Sequence, residues 1–315
     1  MKKVQYQQYG GAEVIQMNEV DKPVPAATEV LIKVKAAGIN ELDWKIRNGD
    51  LKITDGKGFP KAMGCELAGI VEAVGDQVQD FKADDEVLGW LPFDQLGAYA
   101  DFALVTQERL IKKPTTLHFK QAAALPMVGA TARQAIALLP TSIDRKRVLI
   151  NGASGGVGHI AVQLAKGKGA HVTGVVGTHS IPFAEKIGVD EIIDYHKTDI
   201  TKSERKFDLI LDTSKKLPFN KALSLLSDEG IYVDLQPSIN AFMGSFFHNA
   251  FSTRKRKVLG VAVKKEDLEA LAEAVEKDHL IVEVGKTYPL TDIKAVLPQI
   301  ESGKERFTGK AVFTL

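Results

Sequence analysis

The stretch "VLINGASGGVG", residues 148 to 158, joins an apolar, β-branched run to a burst of glycines and decides the fold. Gly152, Gly155 and Gly158 are spaced three apart, and a helical pattern begins near Val157. Glycines at such positions keep the turn tight, let the backbone approach a pyrophosphate and let the helix pack against the strand. The helix amino terminus then offers free N–H groups to phosphates. The stretch therefore predicts a dinucleotide-binding turn.

The same segment also matches a second sequence motif. Residues 152 to 156, "GASGG", satisfy the G-x-S-x-G pattern, in which Ser154 would be the nucleophile of a hydrolase. A hydrolase also needs an acid and a histidine later in the chain. Asp212 ends a predicted strand, whereas the late histidines, His248 and His279, follow no triad pattern. The many strands that begin at this motif favour the phosphate-binding turn, with the hydrolase and a purely structural glycine turn as alternatives.

From about residue 121 onward, strands and helices alternate. Helical spacing is clear in residues 157–169 and 182–188, between β-branched runs. The predicted strands are Arg147 to Asn151, His171 to Val176, Glu191 to Asp194, Leu209 to Asp212, Ile231 to Leu235 and Val258 to Val263. Six strands with crossover helices predict a doubly wound parallel sheet, the Rossmann arrangement of an α/β protein.

The two ends of the chain have a different pattern. Residues 1–120 contain short β-rich segments between Gly, Pro and Asp, which is typical of an antiparallel, partly barrel-like sheet. Residues 265–280 form an amphipathic helix with early acids, and residues 291–315 give a capped helix and one last strand. Since that strand has no partner in the parallel pattern, we expect it to return to the first domain.

Composition limits the function classes. A chain of 315 residues predicts two domains, and 41 basic against 40 acidic side chains leave a net charge of +1, so nucleic acid is not an expected partner. Cys65 is the one cysteine, which excludes an intrachain disulfide and a cysteine-rich zinc cluster. No run approaches the roughly 18 apolar residues of a membrane span. We predict a cytoplasmic protein with no membrane partner.

The end of the second predicted strand indicates which dinucleotide binds. An NAD site places a carboxylate there to accept hydrogen bonds from the ribose hydroxyls. This chain has Thr178, His179 and Ser180, which offer donors and no carboxylate, so a 2′-phosphate would meet no repulsion. NADPH is therefore favoured. No arginine is evident for the phosphate, and the nearby lysines, Lys186 and Lys197, are close in sequence only.

With these features in view, the whole chain resembles the zinc-free quinone oxidoreductase branch of the medium-chain dehydrogenase/reductase superfamily. The resemblance implies a GroES-like catalytic domain over residues 1–120 and 264–315, with a Rossmann domain inserted at 121–263. The stretches that carry it are "AAGINELDWKIRNGD" (36–50), "GCELAGIVEAVGDQV" (64–78), "GAYADFALV" (97–105), "QAAALPMVGATARQAI" (121–136), "GASGGVG" (152–158) and "GVDEIIDY" (188–195).

Departures from the superfamily pattern concern the metal. Zinc alcohol dehydrogenases of this superfamily have a cysteine where this chain has Asn40 and a histidine where it has Cys65, with Glu66 following. One thiol and one carboxylate are too few ligands for tetrahedral zinc, and the four-cysteine lobe is absent. We therefore expect no metal, and we interpret Cys65 as a small buried apolar residue.

The resemblance implies reduction of a quinone or an α,β-unsaturated carbonyl by hydride from NADP(H). By position, Asn40 lines the active site, Lys45 lies near the nicotinamide ribose, Thr131 lies close to the cofactor and Tyr195 lies near the adenosine phosphate. Lys45, the Asn40 amide or a ribose hydroxyl could donate to the carbonyl oxygen, and water can supply the final proton. The predicted phosphate-binding residues are Gly152, Ser154, Gly155, Gly156, Val157, Gly158, Thr178, His179 and Ser180. Simple structural roles stay open: Asn40 as a turn former, Lys45 as a surface charge, Tyr195 as a strand-end filler.

Residues 240–260, "NAFMGSFFHNAFSTRKRKVLG", are interpreted as an aromatic loop followed by the basic run 254–257. Its phenylalanines could roof a pocket for flat substrates or pack at an interdomain or subunit interface. The resemblance implies a homodimer. A nucleotide-binding sensor or scaffold without catalytic turnover is the remaining alternative, because no sequence motif establishes that the protein catalyses a reaction.

Overall fold

The computed structural model describes residues 1–52, 56, 58–139, 146–236 and 238–315. It divides into two compact units. The first unit consists of Met1–Met127, Val263–Lys277 and Val282–Leu315, and the second consists of Val128–Ala262 and Asp278–Ile281. The predicted fold class is confirmed, since the chain contains both a parallel α/β sheet and a β-rich, GroES-like unit.

Strands and helices occur along the whole length of the described chain. The strands are β1 (Lys2–Tyr6), β2 (Gln16–Glu19), β3 (Glu29–Gly38), β4 (Lys61–Ala62), β5 (Glu66–Val74), β6 (Glu86–Trp90), β7 (Phe102–Thr106), β8 (Leu110–Lys112), β9 (Arg147–Asn151), β10 (His171–Val176), β11 (Glu191–Asp194), β12 (Phe207–Asp212), β13 (Leu226–Asp234), β14 (Lys255–Val258), β15 (Val284–Pro289) and β16 (Lys310–Thr314). The helices are α1 (Glu41–Asn48), α2 (Phe119–Ala123), α3 (Pro126–Ile136), α4 (Gly156–Gly167), α5 (Ile181–Lys186), α6 (Phe219–Ala222), α7 (Ile239–Phe251), α8 (Lys265–Glu276) and α9 (Ile293–Glu301).

The first unit contains a sheet with the strand order β15-β16-β3-β5-β6-β8, and β7 also pairs with β3. Most of its pairs are antiparallel, and β16 pairs with β3 so that Phe313 faces Ala37. The rings of Tyr99 and Phe313 meet edge to face at 5.2 Å inside the core. The last strand of the chain is therefore a member of the first unit's sheet, directly beside the strand that leads into α1.

The second unit contains a parallel sheet with the order β11-β10-β9-β12-β13-β14. Five of the predicted strands occur where the sequence placed them, with β12 and β13 starting earlier. The sixth prediction, Val258 to Val263, is wrong, because the strand is Lys255–Val258. β14 lies at the edge of the sheet and α7 packs against it, so a basic segment forms the strand and the apolar run after it does not.

The aromatic segment predicted as a loop is instead the helix α7. Its amino terminus is capped by Ser238, whose hydroxyl oxygen accepts a hydrogen bond from the backbone N–H of Ala241 at 3.1 Å. Ser245 is buried against β14, and its hydroxyl donates to the carbonyl of Arg256. Among the described side chains of α7, the buried ones are therefore small, Ala241 and Ser245, and the large apolar ones are exposed. The sequence pattern did not predict a helix because this buried face lacks large apolar residues at helical spacing.

Within the described ranges, no helix combines the length and the apolar character needed to cross a bilayer.

Candidate active site

The glycine turn between β9 and α4 is fixed by close backbone contacts. Gly152 has a φ of +88°, and a Cβ on it would lie 2.5 Å from Oγ1 of Thr213. A Cβ on Gly158 would lie 2.1 Å from the carbonyl oxygen of Gly152. The left-handed backbone and both close approaches require glycine. The turn itself therefore demands these two glycines whether or not a ligand binds.

Gly155 differs from the other two glycines. A Cβ there would meet the carbonyl oxygen of Gly152 at 3.4 Å, an ordinary contact, and its φ of −82° suits any residue. Gly155 is also the N-cap of α4, with no side chain capping the helix. The N–H groups of the first helical turn have no partner within the helix. An uncapped helix start beside an unhindered glycine is an anion-binding arrangement.

Ser154 does not have the surroundings of a nucleophile. The non-glycine residues with positive φ in the described ranges are Asp84, Lys215 and Asp278, so Ser154 lacks the strained backbone of a nucleophile elbow. His159, in the same turn, directs its Nδ1 to the carbonyl oxygen of Gly155 at 2.9 Å. The turn therefore supplies neither the strain nor an oriented histidine base for Ser154.

The candidate acid of a triad, Asp212, is engaged elsewhere. Its Oδ1 accepts hydrogen bonds from Nδ2 of Asn151 at 3.0 Å and from the Ser214 hydroxyl at 2.9 Å. Its Oδ2 accepts the N–H of Leu217 at 2.8 Å. Asp212 thus holds the loop after β12 in shape.

The carboxyl ends of β9, β10 and β11 lie side by side, which brings Thr178, His179, Ser180 and Tyr195 to the same sheet edge as the glycine turn. Thr178 to Ser180 form a short 3₁₀ turn directly after β10. The Thr178 hydroxyl donates to Oδ2 of Asp194 at 2.7 Å, and this bond lowers the pKa of Asp194. Asp194 is 8% exposed and faces Thr178, so the exposed surface at the end of β10 presents donors.

In the first unit, Asn40 lies at the start of α1, and its side chain is hydrogen-bonded to three neighbouring side chains. Its Nδ2 donates to Oε1 of Glu66 at 2.7 Å and to Sγ of Cys65 at 3.3 Å. Its Oδ1 accepts from Nζ of Lys310 at 2.8 Å. A lysine only donates, so it fixes which end of the amide is oxygen. Both amide N–H groups are used within the protein, and the remaining capacity of Asn40 is as an acceptor.

Glu66 is the centre of this network. It is completely buried, and Oε1 forms an ion pair with Lys310. Oε2 accepts the backbone N–H of Met127 at 2.8 Å. A Cβ on Gly38 would lie 2.1 Å from Oε1, so β3 needs a glycine to admit the carboxylate. A buried charge pair persists only when its remaining hydrogen-bonding capacity is met, as it is in this network.

Asp43 and Tyr99 extend the network behind Asn40. The Tyr99 hydroxyl donates to Oδ2 of Asp43 at 2.6 Å, and the same oxygen accepts the backbone N–H of Asn40 at 2.8 Å. Burial raises the pKa of Asp43 to about 6. Burial, helped by the nearby carboxylates of Asp43 and Glu66, raises the pKa of the Cys65 thiol well above its usual range. Cys65 is therefore a neutral thiol, unsuited to be a thiolate ligand or nucleophile.

A zinc ion does not fit this set of side chains. The ammonium of Lys310 lies against the two oxygen atoms that could ligate a metal, Oδ1 of Asn40 and Oε1 of Glu66. Its positive charge repels a divalent cation, and the neutral thiol of Cys65 is a poor ligand. Across the part of the chain that the structure describes, no three His, Cys, Asp or Glu side chains form a metal-binding group.

Two further predicted residues are Lys45 and Thr131. Lys45 lies on α1, and its ammonium pairs with Glu41 at 2.8 Å, both half exposed. Thr131 lies half-buried on α3, in the second unit. The sequence interpretation gave no role to Asp43, Tyr99 or Lys310, although a lysine inside the buried run of β16 was a usable signal.

Comparisons with known proteins agree with this architecture. Residues 26–115 match the family model "Alcohol dehydrogenase GroES-like domain", and residues 187–313 match "Zinc-binding dehydrogenase". The chain is 33% identical to a chloroplast envelope quinone oxidoreductase homolog of Arabidopsis thaliana over 303 residues, 92% of each chain.

Solved structures of quinone oxidoreductases have the same fold. The structure from Coxiella burnetii superposes with a TM-score of 0.89 at 29% identity, covering 100% of this chain and 99% of that one. The Escherichia coli quinone oxidoreductase complexed with NADPH gives a TM-score of 0.86 at 26% identity, covering 100% of both chains.

Proposed function

Because the chain belongs to the quinone oxidoreductase-like branch of the medium-chain dehydrogenase/reductase superfamily, we propose that it is an NADPH-dependent, zinc-independent reductase of quinones or α,β-unsaturated carbonyls. Bound NADPH supplies the hydride. The observation that carries the proposal is the uncapped start of α4 behind a turn that Gly152 and Gly158 lock into shape.

The phosphate-binding role follows from the contrast between the glycines. Gly152 and Gly158 are required by the turn, whereas no protein atom demands glycine at Gly155. Close approach of a pyrophosphate to the backbone explains a glycine at that position. The N–H groups of Gly156 and Val157 and the Ser154 hydroxyl then serve as phosphate donors.

The NADPH preference is supported by the chemistry at the end of β10. Thr178, His179 and Ser180 offer donors, and the nearby carboxylate, Asp194, is buried and bonded to Thr178. A ribose 2′-phosphate carries a full negative charge that an exposed carboxylate would repel. The Escherichia coli relative is itself an NADPH complex.

Zinc independence is supported by Lys310. Its ammonium supplies the positive charge that neutralises Glu66, where a metal would otherwise be needed. The carbonyl of the substrate must therefore be polarised by hydrogen-bond donors, and Asn40 has none left. We retain Asn40 and Thr131 as proposed cofactor-binding residues, with Asn40 acting as a hydrogen-bond acceptor. The proton for the product comes from water or a ribose hydroxyl.

We further propose that the protein is a homodimer that binds no nucleic acid. The outer edge of β14 carries no strand partner in the described part of the chain, and the neighbouring α7 exposes large apolar side chains. These are Phe242, Met243, Phe246, Phe247 and Phe251. An apolar helix face beside an open sheet edge is a self-pairing surface.

We propose the cytoplasm as the compartment, as the composition first indicated. Cys65, the one cysteine, is a buried free thiol, which suits a reducing environment.

The proposal is tested by titrating the purified protein with NADPH and with NADH, and then following nicotinamide oxidation after adding a quinone and a short enone. We expect tighter binding of NADPH and turnover with one acceptor. Ser154→Ala should keep most of the turnover, because a phosphate contact is one of several. Complete loss of activity in S154A would favour the hydrolase interpretation. Binding of NADPH without turnover would favour a sensor.

A further inference from the structure

A lysine that was given no role from the sequence lies near the carboxyl ends of the parallel strands in the second unit, where the cofactor is proposed to bind. Lys216 follows β12, and its Nζ lies 5.8 Å from the ring centroid of Tyr195, which follows β11. In the sheet, β9 and β10 lie between β12 and β11. The contact between Lys216 and Tyr195 therefore joins two segments whose strands flank β9 and β10, the strands that lead into the glycine turn and Thr178.

The backbone that presents Lys216 is held in one conformation. Asp212 accepts hydrogen bonds from the N–H of Ser214 at 3.0 Å and from that of Leu217 at 2.8 Å. The N–H of Lys216 donates to the Ser214 hydroxyl at 3.3 Å. The residue before it, Lys215, has a left-handed φ of +62°. A loop fixed at both ends positions its lysine with little further loss of entropy.

The charge of Lys216 is available to a ligand. Lys216 is exposed, and within the described ranges its ammonium forms no ion pair with a carboxylate. Lys197, at the same sheet edge, instead lies 3.9 Å from Oδ2 of Asp194. Of these two lysines, Lys216 is the one whose charge the protein leaves uncompensated.

Tyr195 completes the arrangement. Its side chain is 46% exposed, and its ring packs on His196 with the centroids 4.3 Å apart. A Cβ on Gly177 would lie 3.0 Å from the Tyr195 hydroxyl oxygen, so the hydroxyl lies directly beside the end of β10. In this fold the end of that strand is where the 2′ position of the adenosine ribose is recognised.

We propose that Lys216 supplies the cation that recognises the 2′-phosphate of NADPH, beside the hydroxyl of Tyr195. This inference rests on the proposed function. A lysine ammonium acts on phosphate as a point charge, and a charge-assisted contact is stronger than one between neutral groups. Lys216 provides the basic partner that is missing from the segment directly after β10.

The test compares Lys216→Met, Lys216→Arg and the matched control Lys197→Met in the full-length protein. Calorimetric titrations with 2′,5′-ADP and 5′-AMP isolate the 2′-phosphate without turnover, and NADPH and NADH repeat the comparison on the whole cofactor. We expect K216M to weaken 2′,5′-ADP and NADPH binding about tenfold, with 5′-AMP and NADH within about twofold of wild type. K216R should retain the preference, and K197M should weaken 2′,5′-ADP binding much less.

The outcomes separate the two proposals. A wild-type protein that binds 2′,5′-ADP no better than 5′-AMP overturns the NADPH preference itself, and the Lys216 inference with it. A wild-type preference that survives in K216M overturns only the assignment to Lys216. Equal losses in K216M and K197M would indicate a general positive field in place of a specific contact, and would also overturn it.

Discussion

Lys310 donates a hydrogen bond to Oδ1 of Asn40 across 2.8 Å, although 270 residues separate them in the chain. The same ammonium neutralises Glu66, which is completely buried. The pairing of β16 with β3 makes this contact possible, because it brings the end of the chain beside the strand that leads into α1. The first unit thus holds a buried ammonium group against Asn40 and Glu66.

Removing the ammonium group of Lys310 should destabilise the folded protein. In Lys310→Met the carboxylate of Glu66 stays buried without a charged partner, so we expect the free energy of unfolding to fall by about 3–5 kcal/mol. The double variant K310M/E66Q removes both charges and should recover a large part of the loss. Urea unfolding measures both, with the exposed Lys304→Met as control. A loss in K310M no larger than in K304M would contradict the ion-pair account.

Asp43 should give the protein an unusual dependence of stability on pH. Burial raises the pKa of Asp43 to about 6, from an ordinary value of 3.8. The folded protein therefore binds more protons than the unfolded chain between these values, and this group loses stability as the pH rises through that window. Asp43→Asn lacks this titrating carboxyl group. The unfolding free energy of the variant minus that of wild type should therefore increase by about 1–3 kcal/mol between pH 4 and pH 7.

Urea titrations at several pH values measure this difference, with Asp50→Asn as the control for loss of a surface carboxylate. An Asp43→Asn difference that stays flat from pH 4 to 7 would show that the carboxyl of Asp43 ionises normally in the fold.

The glycine turn offers a matched pair of variants. A Cβ on Gly158 meets backbone atoms at 2.1 Å, whereas a Cβ on Gly155 makes one ordinary contact at 3.4 Å. Gly158→Ala should therefore lower stability by roughly 2 kcal/mol or more, and Gly155→Ala by about 1 kcal/mol at most. Gly155→Ala should instead weaken NADPH binding at least tenfold, because the methyl group occupies the space that a pyrophosphate needs. Unchanged NADPH affinity in a folded G155A protein would argue against the phosphate-binding turn.

The exposed face of α7 should control self-association. Phe246 is 73% exposed on that face. Phe246→Asp places a charge in the proposed dimer interface, so sedimentation should shift from dimer to monomer at micromolar concentration. Val24→Asp is the control, since Val24 is 84% exposed in the first unit. A wild-type protein that sediments as a monomer, or a Phe246→Asp variant that stays dimeric, would contradict the proposal.

Much of the fold was readable from local patterns. Alternation of β-branched runs with helical spacing predicted five strands of the parallel sheet, because each of them contains an apolar run. The prediction failed at β14, one of the two edge strands, which is a basic segment hydrogen-bonded to the small polar residue Ser245 of α7. A strand without an apolar run gives no hydrophobic signal in the sequence.

The sequence by itself determined the glycine turn, the missing carboxylate after β10 and the family, because each is a property of short contiguous segments. Only the tertiary structure decided that Lys310 lies on Asn40 and Glu66, and that Lys216 lies over Tyr195. These contacts join segments far apart in the chain, and sheet pairing sets their distances. The sequence gives the charge of a side chain, but the group that this side chain contacts depends on which strands become neighbours in the sheet.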